Sequence, residues 1–110
     1  MVNGHATATK IGDPVEAEAI KSVLSTPYQS MLRDEKFEEY AMYDKSNLKN
    51  TLITAYKGHM GHLNLASGAT EAAFIIKAMN EKKIPGTANL KNPVDDELNF
   101  VKDHEVIERE

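Results

Sequence analysis

Two long stretches of the chain carry apolar side chains at helical spacing. The first follows Asp13, a typical N-cap residue, and Pro14, which suits the first helical position. Glu16 stands three residues after Asp13 and completes a capping-box pattern. Apolar positions then recur at helical spacing until Ser25, and Pro27 follows. The pattern predicts a helix from Asp13 to about Ser25.

The second stretch, from about Asn64 to Lys82, predicts a longer helix. Its first half is rich in glycine and alanine on several faces, which lets other backbones approach closely and predicts a buried central helix. Its second half carries larger apolar residues, and a proline and a glycine end it at 85–86. The apolar run from Ala72 to Ile76 would face solvent unless a partner covers it.

The best strand candidate is 51–56, because β-branched and aromatic side chains dominate it. The 110 residues are enough for one small domain, over residues 1–110, and not for two. The remaining assignments are the end of a strand and a small-residue loop in 1–12, an amphipathic helix in 28–41, loops at 46–50 and 57–62, an extended segment at 87–90, a strand at 98–101 and a frayed, charged tail at 102–110.

Composition narrows the class of protein. Apolar residues make up 41% of the 110 residues, enough for one small core, and the net charge is -4 with lysines scattered among acids, which argues against nucleic-acid binding. No apolar run reaches the roughly 18 residues of a membrane span. No signal peptide is visible. We expect a soluble intracellular protein, in the cytoplasm or a mitochondrial or plastid matrix.

The chain has no cysteine, which excludes disulfides, thiolate metal sites and a thiol nucleophile.

Four histidines are the main candidates for chemistry. His104 lies in the charged tail and is expected to be solvated. His59 and His62 stand three residues apart, as a metal pair can, but no third ligand is near them in the sequence and zinc needs three or four ligands. We therefore predict no metal site. His5 and His62 each lie in a loop of small residues beside a helix start, where a substrate can approach an imidazole that donates to a carbonyl.

These loops resemble those of a known family. The run Asn3-Gly4-His5-Ala6-Thr7-Ala8-Thr9, followed by Gly12-Asp13-Pro14, resembles the first histidine motif of β-ketoacyl-acyl-carrier-protein synthases. The run Lys57-Gly58-His59-Met60-Gly61-His62 resembles their lysine and second-histidine motif, including its spacing of five. Gly68, Ala69, Glu71 and Ala72 continue the likeness, which covers residues 1–24 and 51–101.

The resemblance implies an α/β fold in the form of a partial thiolase-like fold, a fragment of the C-terminal half of a layered α-β-α-β-α architecture. It implies decarboxylative Claisen condensation of malonyl-acyl carrier protein with an acyl thioester in fatty-acid biosynthesis. By resemblance, His5 and His62 bind the malonyl thioester carbonyl and promote decarboxylation, and Lys57 supports them electrostatically. Thr7 and Thr9 would bind the phosphopantetheine arm of acyl carrier protein, and no other cofactor is implied.

Simpler roles stay open for the same residues. Thr7 and Thr9 also suit extended backbone. Lys57 can pair with an acid, and Asp13 and Glu16 can serve only as helix caps.

The chain also departs from the family's pattern. The cysteine nucleophile with its half of the fold and the closing glycine- and phenylalanine-rich strands are missing, and Leu65 and Ser67 stand where glycine and alanine are usual. Residues 25–50 read as a possible insertion. We expect no condensation by the chain alone, and self-association through uncovered apolar surface and strand edges. The alternative is a non-catalytic relic or interaction module that binds itself or a complete synthase.

Overall fold

The computed structural model describes residues 1–25 and 46–108. The helices are α1 (Gly12–Ser25), α2 (Ser46–Asn50), α3 (Lys57–Met60) and α4 (Ser67–Glu81), with a 3₁₀ turn at Asn64–Ala66. The strands are β1 (Val2–Asn3), β2 (Leu52–Thr54), β3 (Lys83–Pro85), β4 (Asn99–Phe100) and β5 (Val106–Glu108). This mixture of helices and small sheets confirms the α/β class and agrees with a partial thiolase-like fold.

A parallel three-stranded sheet has β2 at its centre, with β1 and β4 on either side. The register pairs Val2 with Ile53 and Leu52 with Asn99. All three residues of β2 are buried, as expected for a strand with neighbours on both edges. A separate antiparallel pair joins β3 to β5, with Ile84 opposite Ile107.

The core lies between α1, α2 and the parallel sheet. Its buried centre consists of Ala17, Leu48, Ile53 and Leu98, and the side chains packed against it are those of Val2, Ile20, Leu24 and Phe100. Tyr56, just after β2, stacks on Phe74 of α4 with ring centroids 5.4 Å apart. This stack joins α4 to the segment that carries the predicted site.

Both long predicted helices are confirmed, and so are strands within 51–56 and 98–101. The loop predicted at 46–50 is wrong, because these residues form α2, whose Leu48 is buried in the core. The first four residues of the loop predicted at 57–62 form α3. Gly61 ends this helix in the left-handed region, at φ +74°, with its N–H donating to Lys57 O. Glycine adopts that conformation without steric cost.

Two assignments near the C-terminal end of the described residues are also wrong. The predicted extended segment at 87–90 is a turn, closed by the Leu90 N–H donating to Thr87 O at 3.1 Å, and the extended residues lie earlier, in β3. The tail predicted to fray contributes β5, which gains its order from pairing with β3. Such non-local pairing leaves little trace in local composition.

The start of α1 differs from the predicted capping box. Thr9 Oγ1 accepts from the Gly12 N–H at 3.0 Å, and Asp13 Oδ1 accepts from the Thr9 N–H at 3.3 Å. This reciprocal arrangement is the capping box of the helix, formed by Thr9 and Asp13 instead of Asp13 and Glu16. The carboxylate of Glu16 is therefore left for the loop that contains His5.

The helix α4 is not the buried central helix that its small residues predict. Its buried side chains are those of Ser67, Glu71 and Ala78. Phe74, Ile76 and Met79 are 45%, 59% and 68% exposed, as the prediction for 72–76 required. These three are called the exposed apolar side chains of α4. No helix in the described ranges is long and apolar enough to cross a membrane.

Candidate active site

Two histidines from distant parts of the sequence meet in one place. His5 follows β1, His62 follows α3, and their ring centroids are 5.5 Å apart with an interplanar angle of 89°. Both residues are exposed to solvent. They meet because β1 and β2 are parallel neighbours, so the loops after their carboxyl ends lie at the same edge of the sheet. The structure thus brings the two histidines together.

Glu16 holds the loop that contains His5. Its carboxylate accepts from the backbone N–H of His5 at 2.5 Å and from that of Ala6 at 2.8 Å. The loop needs such support because Ala6 and Ala8 have φ of +36° and +61°, in or near the left-handed region that disfavours alanine. Glu16 lies one turn into α1, so the helix fixes where His5 stands.

Lys57 forms a buried ion pair beneath the histidines. Lys57 Nζ lies 2.5 Å from Glu71 Oε1, and the two residues are 8% and 7% exposed. The second carboxylate oxygen of Glu71 accepts from Asn3 Nδ2 at 2.5 Å. A buried charge pair of this kind needs its remaining polar atoms satisfied. The cluster of Asn3, Lys57 and Glu71 therefore ties β1, α3 and α4 together next to the site.

Competing influences set the ionisation of Glu71. Burial acts to raise the pKa of its carboxyl group, but the hydrogen bonds from Lys57 and Asn3 and the charge of Lys57 outweigh it. The net result is a pKa below the usual value for glutamate, so Glu71 carries its charge at neutral pH. Lys57 thus has an ionised acid as its partner, and its electrostatic role in the site stays a prediction.

The ring of His62 is fixed through its Nδ1 atom. Nδ1 accepts from the Asn64 backbone N–H at 3.2 Å and lies 3.0 Å from Ser67 Oγ. An Nδ1 that accepts from a backbone amide cannot itself carry a proton in that bond, so a neutral His62 has its N–H at Nε2. Asn64 is at φ +51°, which asparagine tolerates better than most residues.

A cavity of about 410 Å³ opens beside Lys57 and His62, and His5 is not among the residues that line it. Lys57, His62 and Thr7 line it, together with apolar residues of α1, β2 and β4 and the turn after β3. Glycine is required at position 58, where a Cβ atom would come within 2.6 Å of Ala88 O. A concave, mainly apolar space with a few convergent polar groups is typical of a small-molecule site.

The structure separates the two threonines that the resemblance assigned to the phosphopantetheine arm. Thr7 lines the cavity. Thr9 is exposed, and its Oγ1 accepts from the Gly12 N–H at the start of α1. Their part in binding the arm stays a prediction.

The other two histidines serve elsewhere. His59 Nε2 lies 2.8 Å from Gly86 O, which attaches α3 to the residue after β3. His104 is an exposed side chain 3.3 Å from Asp103, as its position in a charged segment predicted.

The contacts that Glu16, Glu71 and Asn3 make in the site were not predicted from the sequence. Glu16 was expected to cap a helix, Glu71 entered only as part of a run of small residues, and Asn3 only as the start of a motif. A usable signal was present, since Glu71 lies on the predicted helix that directly follows the loop of Lys57. A charged residue on the small-residue half of a helix needs a partner if it is buried.

The candidate site is thus a pair of imidazoles above a buried lysine and carboxylate, next to the carboxyl ends of two parallel strands. The sequence profile of the family described as "Beta-ketoacyl synthase, C-terminal domain" matches residues 1–33 and 39–91. The chain belongs to this family, and thereby to the thiolase-like fold that the resemblance implied. The match includes most of 25–50, which was expected to be an insertion, and ends at 91 instead of 101.

Several curated proteins resemble the chain. The mitochondrial 3-oxoacyl-[acyl-carrier-protein] synthase of Arabidopsis thaliana is 42% identical over 84% of this chain and 16% of its own length. The 3-oxoacyl-[acyl-carrier-protein] synthase homolog of Saccharomyces cerevisiae is 32% identical over 96% of the chain and 22% of its own length. Orsellinic acid synthase ArmB of Armillaria ostoyae is 33% identical over 84% of the chain and 3% of its own length.

The chain therefore spans less than a quarter of the length of these relatives. The relatives include both 3-oxoacyl-acyl-carrier-protein synthases and polyketide synthases. The family to which the chain belongs is thus that of the condensing enzymes. No solved structure gave a significant match.

Proposed function

We propose that this chain supplies the malonyl-decarboxylating half of a 3-oxoacyl-acyl-carrier-protein synthase in fatty-acid biosynthesis. The observation that carries the proposal is the meeting of His5 and His62, with ring centroids 5.5 Å apart, above the buried pair of Lys57 and Glu71. The names of the two synthase relatives support acyl carrier protein as the partner that delivers the substrate.

The proposed reaction begins at the malonyl thioester. The imidazoles of His5 and His62 donate N–H hydrogen bonds to its carbonyl oxygen. The bond between the α-carbon and the carboxylate breaks, carbon dioxide leaves, and the electron pair passes into an enolate whose oxygen the two donors stabilise. One such donor contributes roughly 2.7–4 kcal/mol in comparable oxyanion sites.

The condensation step needs a nucleophile that this chain does not have. The enolate carbon attacks the carbonyl of an acyl group held as a cysteine thioester, the new carbon–carbon bond forms, and the thiolate leaves. The chain contains no cysteine. The proposal therefore predicts decarboxylation without condensation when this chain acts alone.

The roles of the remaining residues follow from their contacts. Lys57, held by its ion pair with Glu71, would support the loop that leads to His62 and set the electrostatics beneath the site. Thr7, which lines the cavity, would contact the phosphopantetheine arm, and the exposed Thr9 at the start of α1 would contact it outside the cavity. No cofactor beyond that arm is proposed. A mitochondrial compartment is proposed because one relative is named as mitochondrial.

Carbon dioxide release tests the proposal. Malonyl-acyl carrier protein labelled in the free carboxylate is incubated with the chain, with His5→Ala and with His62→Ala. We expect labelled carbon dioxide from the unchanged chain and a loss in each variant. The matched control is His104→Ala, since His104 is 93% exposed and outside the site. Equal release from all four proteins would show that the histidine pair does not promote the reaction.

A second candidate is an interaction module that associates with itself or with a complete synthase. The exposure of Phe74, Ile76 and Met79 on α4 favours it, because exposed apolar surface marks interaction sites. The edges of the parallel sheet at β1 and β4 add unpaired backbone groups. Light scattering over a range of concentrations tests self-association, and a monomer at every concentration would contradict it.

A further inference from the structure

The outer face of α1 carries apolar side chains that nothing in the described residues covers. Ile11, directly before the helix, and Val15 within it are 80% and 64% exposed. Ala19 and Val23 continue the series at intervals of four residues, and both are exposed. Residues four apart lie on one face of a helix, and these four are called the outer stripe of α1. The helix is therefore apolar on two faces, because Ala17 on its inner face is buried in the core.

The outer stripe of α1 borders a groove of about 400 Å³. Ile11, Val15 and Ala19 line this groove together with His5 and Thr7 from the loop after β1. The stripe is thus concave on the side of His5. A concave apolar surface is suited to an apolar side chain that protrudes from a partner.

The helix α4 presents side chains of that kind. Ile76 and Met79 are 59% and 68% exposed, and Ala69 and Ala72, which precede them, are also exposed. These four residues follow one another at intervals of three, four and three, which is the spacing of a helix surface that packs against another helix. They are called the apolar seam of α4. Its two large side chains protrude, whereas the stripe of α1 borders a groove.

The charges around the groove are mainly negative. Two of the acids line the groove itself, and the third is exposed on α1 beside it. Lys21 is already held by Asp95, with Nζ and Oδ2 2.8 Å apart. The acids on this side of α1 are Asp13, Glu16 and Glu18, and the bases are Lys10 and Lys21.

The charges at the end of the apolar seam are mainly positive. Lys77 and Lys83 pair with Glu81 and Glu108 at 2.6 and 3.3 Å. Lys82 is exposed and makes no ion pair with the described residues. The seam therefore ends in a surplus of positive charge. Surfaces of opposite charge attract one another and set the register of a contact, whereas two copies of α4 would bring the same surplus to both sides.

We propose that the groove beside α1 binds the apolar seam of α4 from a second copy of this chain. The contact is heterologous, because the two copies contribute different surfaces. This proposal rests on the second candidate function, self-association, and names the two surfaces that meet. Because His5 lines the groove, the bound copy lies next to the ring of His5.

The competing arrangement is a symmetric pair in which α4 packs against α4. Symmetric dimers are the commonest oligomers, so the experiment has to separate the two. A symmetric pair of α4 helices would tolerate charges on α1. It would also not return when a chain with a blocked α1 is mixed with a chain with a blocked α4.

Mixing two blocked variants tests the heterologous contact. The α1 variant carries Val15→Glu and Ala19→Glu, and the α4 variant carries Ile76→Glu and Met79→Glu. We expect each variant alone to associate at least about tenfold more weakly than the unchanged chain in sedimentation equilibrium. An equimolar mixture should regain association and stop at one copy of each, because only one usable groove and one usable seam remain.

The matched control adds two charges outside both surfaces. Asn47→Glu with Asn50→Glu places them at exposed positions of α2, and its association should equal that of the unchanged chain. Circular dichroism checks that every variant is folded. If the α1 variant does not fold, Ile11→Glu replaces it, since Ile11 precedes the helix.

The resonances of His5 give a second measurement on the same mixture. When the α4 variant is labelled and the unlabelled α1 variant is added, the groove of the labelled chain is filled, so its His5 resonances should shift. When the α1 variant is labelled instead, its groove is blocked and its His5 resonances should stay unchanged. His104, which is 93% exposed, should not shift in either case.

The outcomes separate this proposal from the functions proposed above. Undiminished association of the α1 variant, or no association in the mixture, overturns the heterologous contact and leaves self-association in place. A monomeric unchanged chain at every concentration overturns both. Release of carbon dioxide from malonyl-acyl carrier protein is a separate measurement, so the proposed decarboxylation stands or fails independently.

Discussion

Charged side chains are usually exposed and large apolar side chains are usually buried. The cluster beneath the histidines and the outer surface of α4 show the opposite. Beneath the histidines, the charged residues Lys57 and Glu71 are buried. On the outer surface, Ile76 and Met79 face solvent. The buried charges have their partners within the chain, whereas nothing in the described residues covers the apolar side chains. Both charges of the cluster are thus paired, although Asn3 Oδ1 is buried without a hydrogen-bond partner among the described residues, whereas the apolar surface of α4 lacks a cover.

The two regions therefore depend on different interactions: the site depends on hydrogen bonds and ion pairs within the chain, and α4 depends on the burial of its apolar side chains. The geometry of His5 and His62 depends on Glu16, Glu71 and Asn64, all supplied by the described residues. The stability of α4 depends on covering apolar area, worth about 25 cal/mol per Å² of surface removed from water. Substitutions in the two regions should therefore have different effects, and four predictions test this.

The largest effect is expected from breaking the buried ion pair. Lys57→Met leaves the carboxylate of Glu71 buried without its cation, which should lower the free energy of unfolding by about 3–5 kcal/mol. Urea denaturation followed by circular dichroism measures the loss. Lys77→Met is the matched control, because Lys77 pairs with Glu81 at 2.6 Å on the surface, and such pairs contribute about 0–1 kcal/mol.

Acid should cause a smaller loss of stability, because protonation of Glu71 removes the negative charge of the same ion pair. The pKa of Glu71 in the folded chain is below the usual value of 4.5. A depressed carboxyl pKa contributes stability above the unfolded-state pKa, and that contribution disappears as the pH falls through the folded-state pKa. Stability should therefore decline below about pH 4.5. In Glu71→Gln the decline should be smaller, and an identical pH profile in both proteins would contradict the role of Glu71.

On the outer surface, a charge should act on association and leave the fold intact. Ile76→Glu with Met79→Glu should weaken self-association at least about tenfold, or about 1.4 kcal/mol, because the charges oppose burial of apolar area. Sedimentation equilibrium measures it. Asn80→Glu, a substitution of an exposed polar residue on α4, is the control. Equal weakening by the control would mean that net charge, and not the apolar side chains, governs association.

The smallest effect is expected at the loop of His5. Glu16→Gln keeps an acceptor oxygen but removes the charge that holds two backbone N–H groups, so we expect a loss of about 1 kcal/mol. The resonances of His5 should shift while those of His104 do not. A shift of His104 alone, or of neither, would show that Glu16 does not hold the loop.

Much of the fold could be predicted from local patterns. The two long helices follow from apolar spacing, and β2 follows from its β-branched residues. The strand β5 could not be predicted, because Val106 to Glu108 is ordered by pairing with β3 and not by its own composition. The helix α2 was missed because a single buried leucine, Leu48, secures an otherwise polar segment. The prediction for 28–41 lies outside the described residues.

The histidines and the lysine of the candidate site were predicted from the sequence, but the residues that hold them in place were not. Motif resemblance supplied His5, Lys57 and His62, and the structure places the two histidines in contact distance. The partners Glu16, Glu71 and Ser67 were given other roles or none. Their contacts cross from one element to another, and a linear sequence does not state which elements face each other.

The register of the parallel sheet has a consequence for the order of folding. Val2 pairs with Ile53, and Leu52 pairs with Asn99, so each ladder joins residues roughly fifty positions apart and folding must close two long loops. During synthesis, β2 emerges long before β4. Until β4 arrives, the edge of β2 that pairs with it stays open, and the apolar side chains of Leu52 and Ile53 lack that neighbour. A slower supply of the last residues would prolong that stage, so codon usage near Asn99 should influence the yield of folded protein.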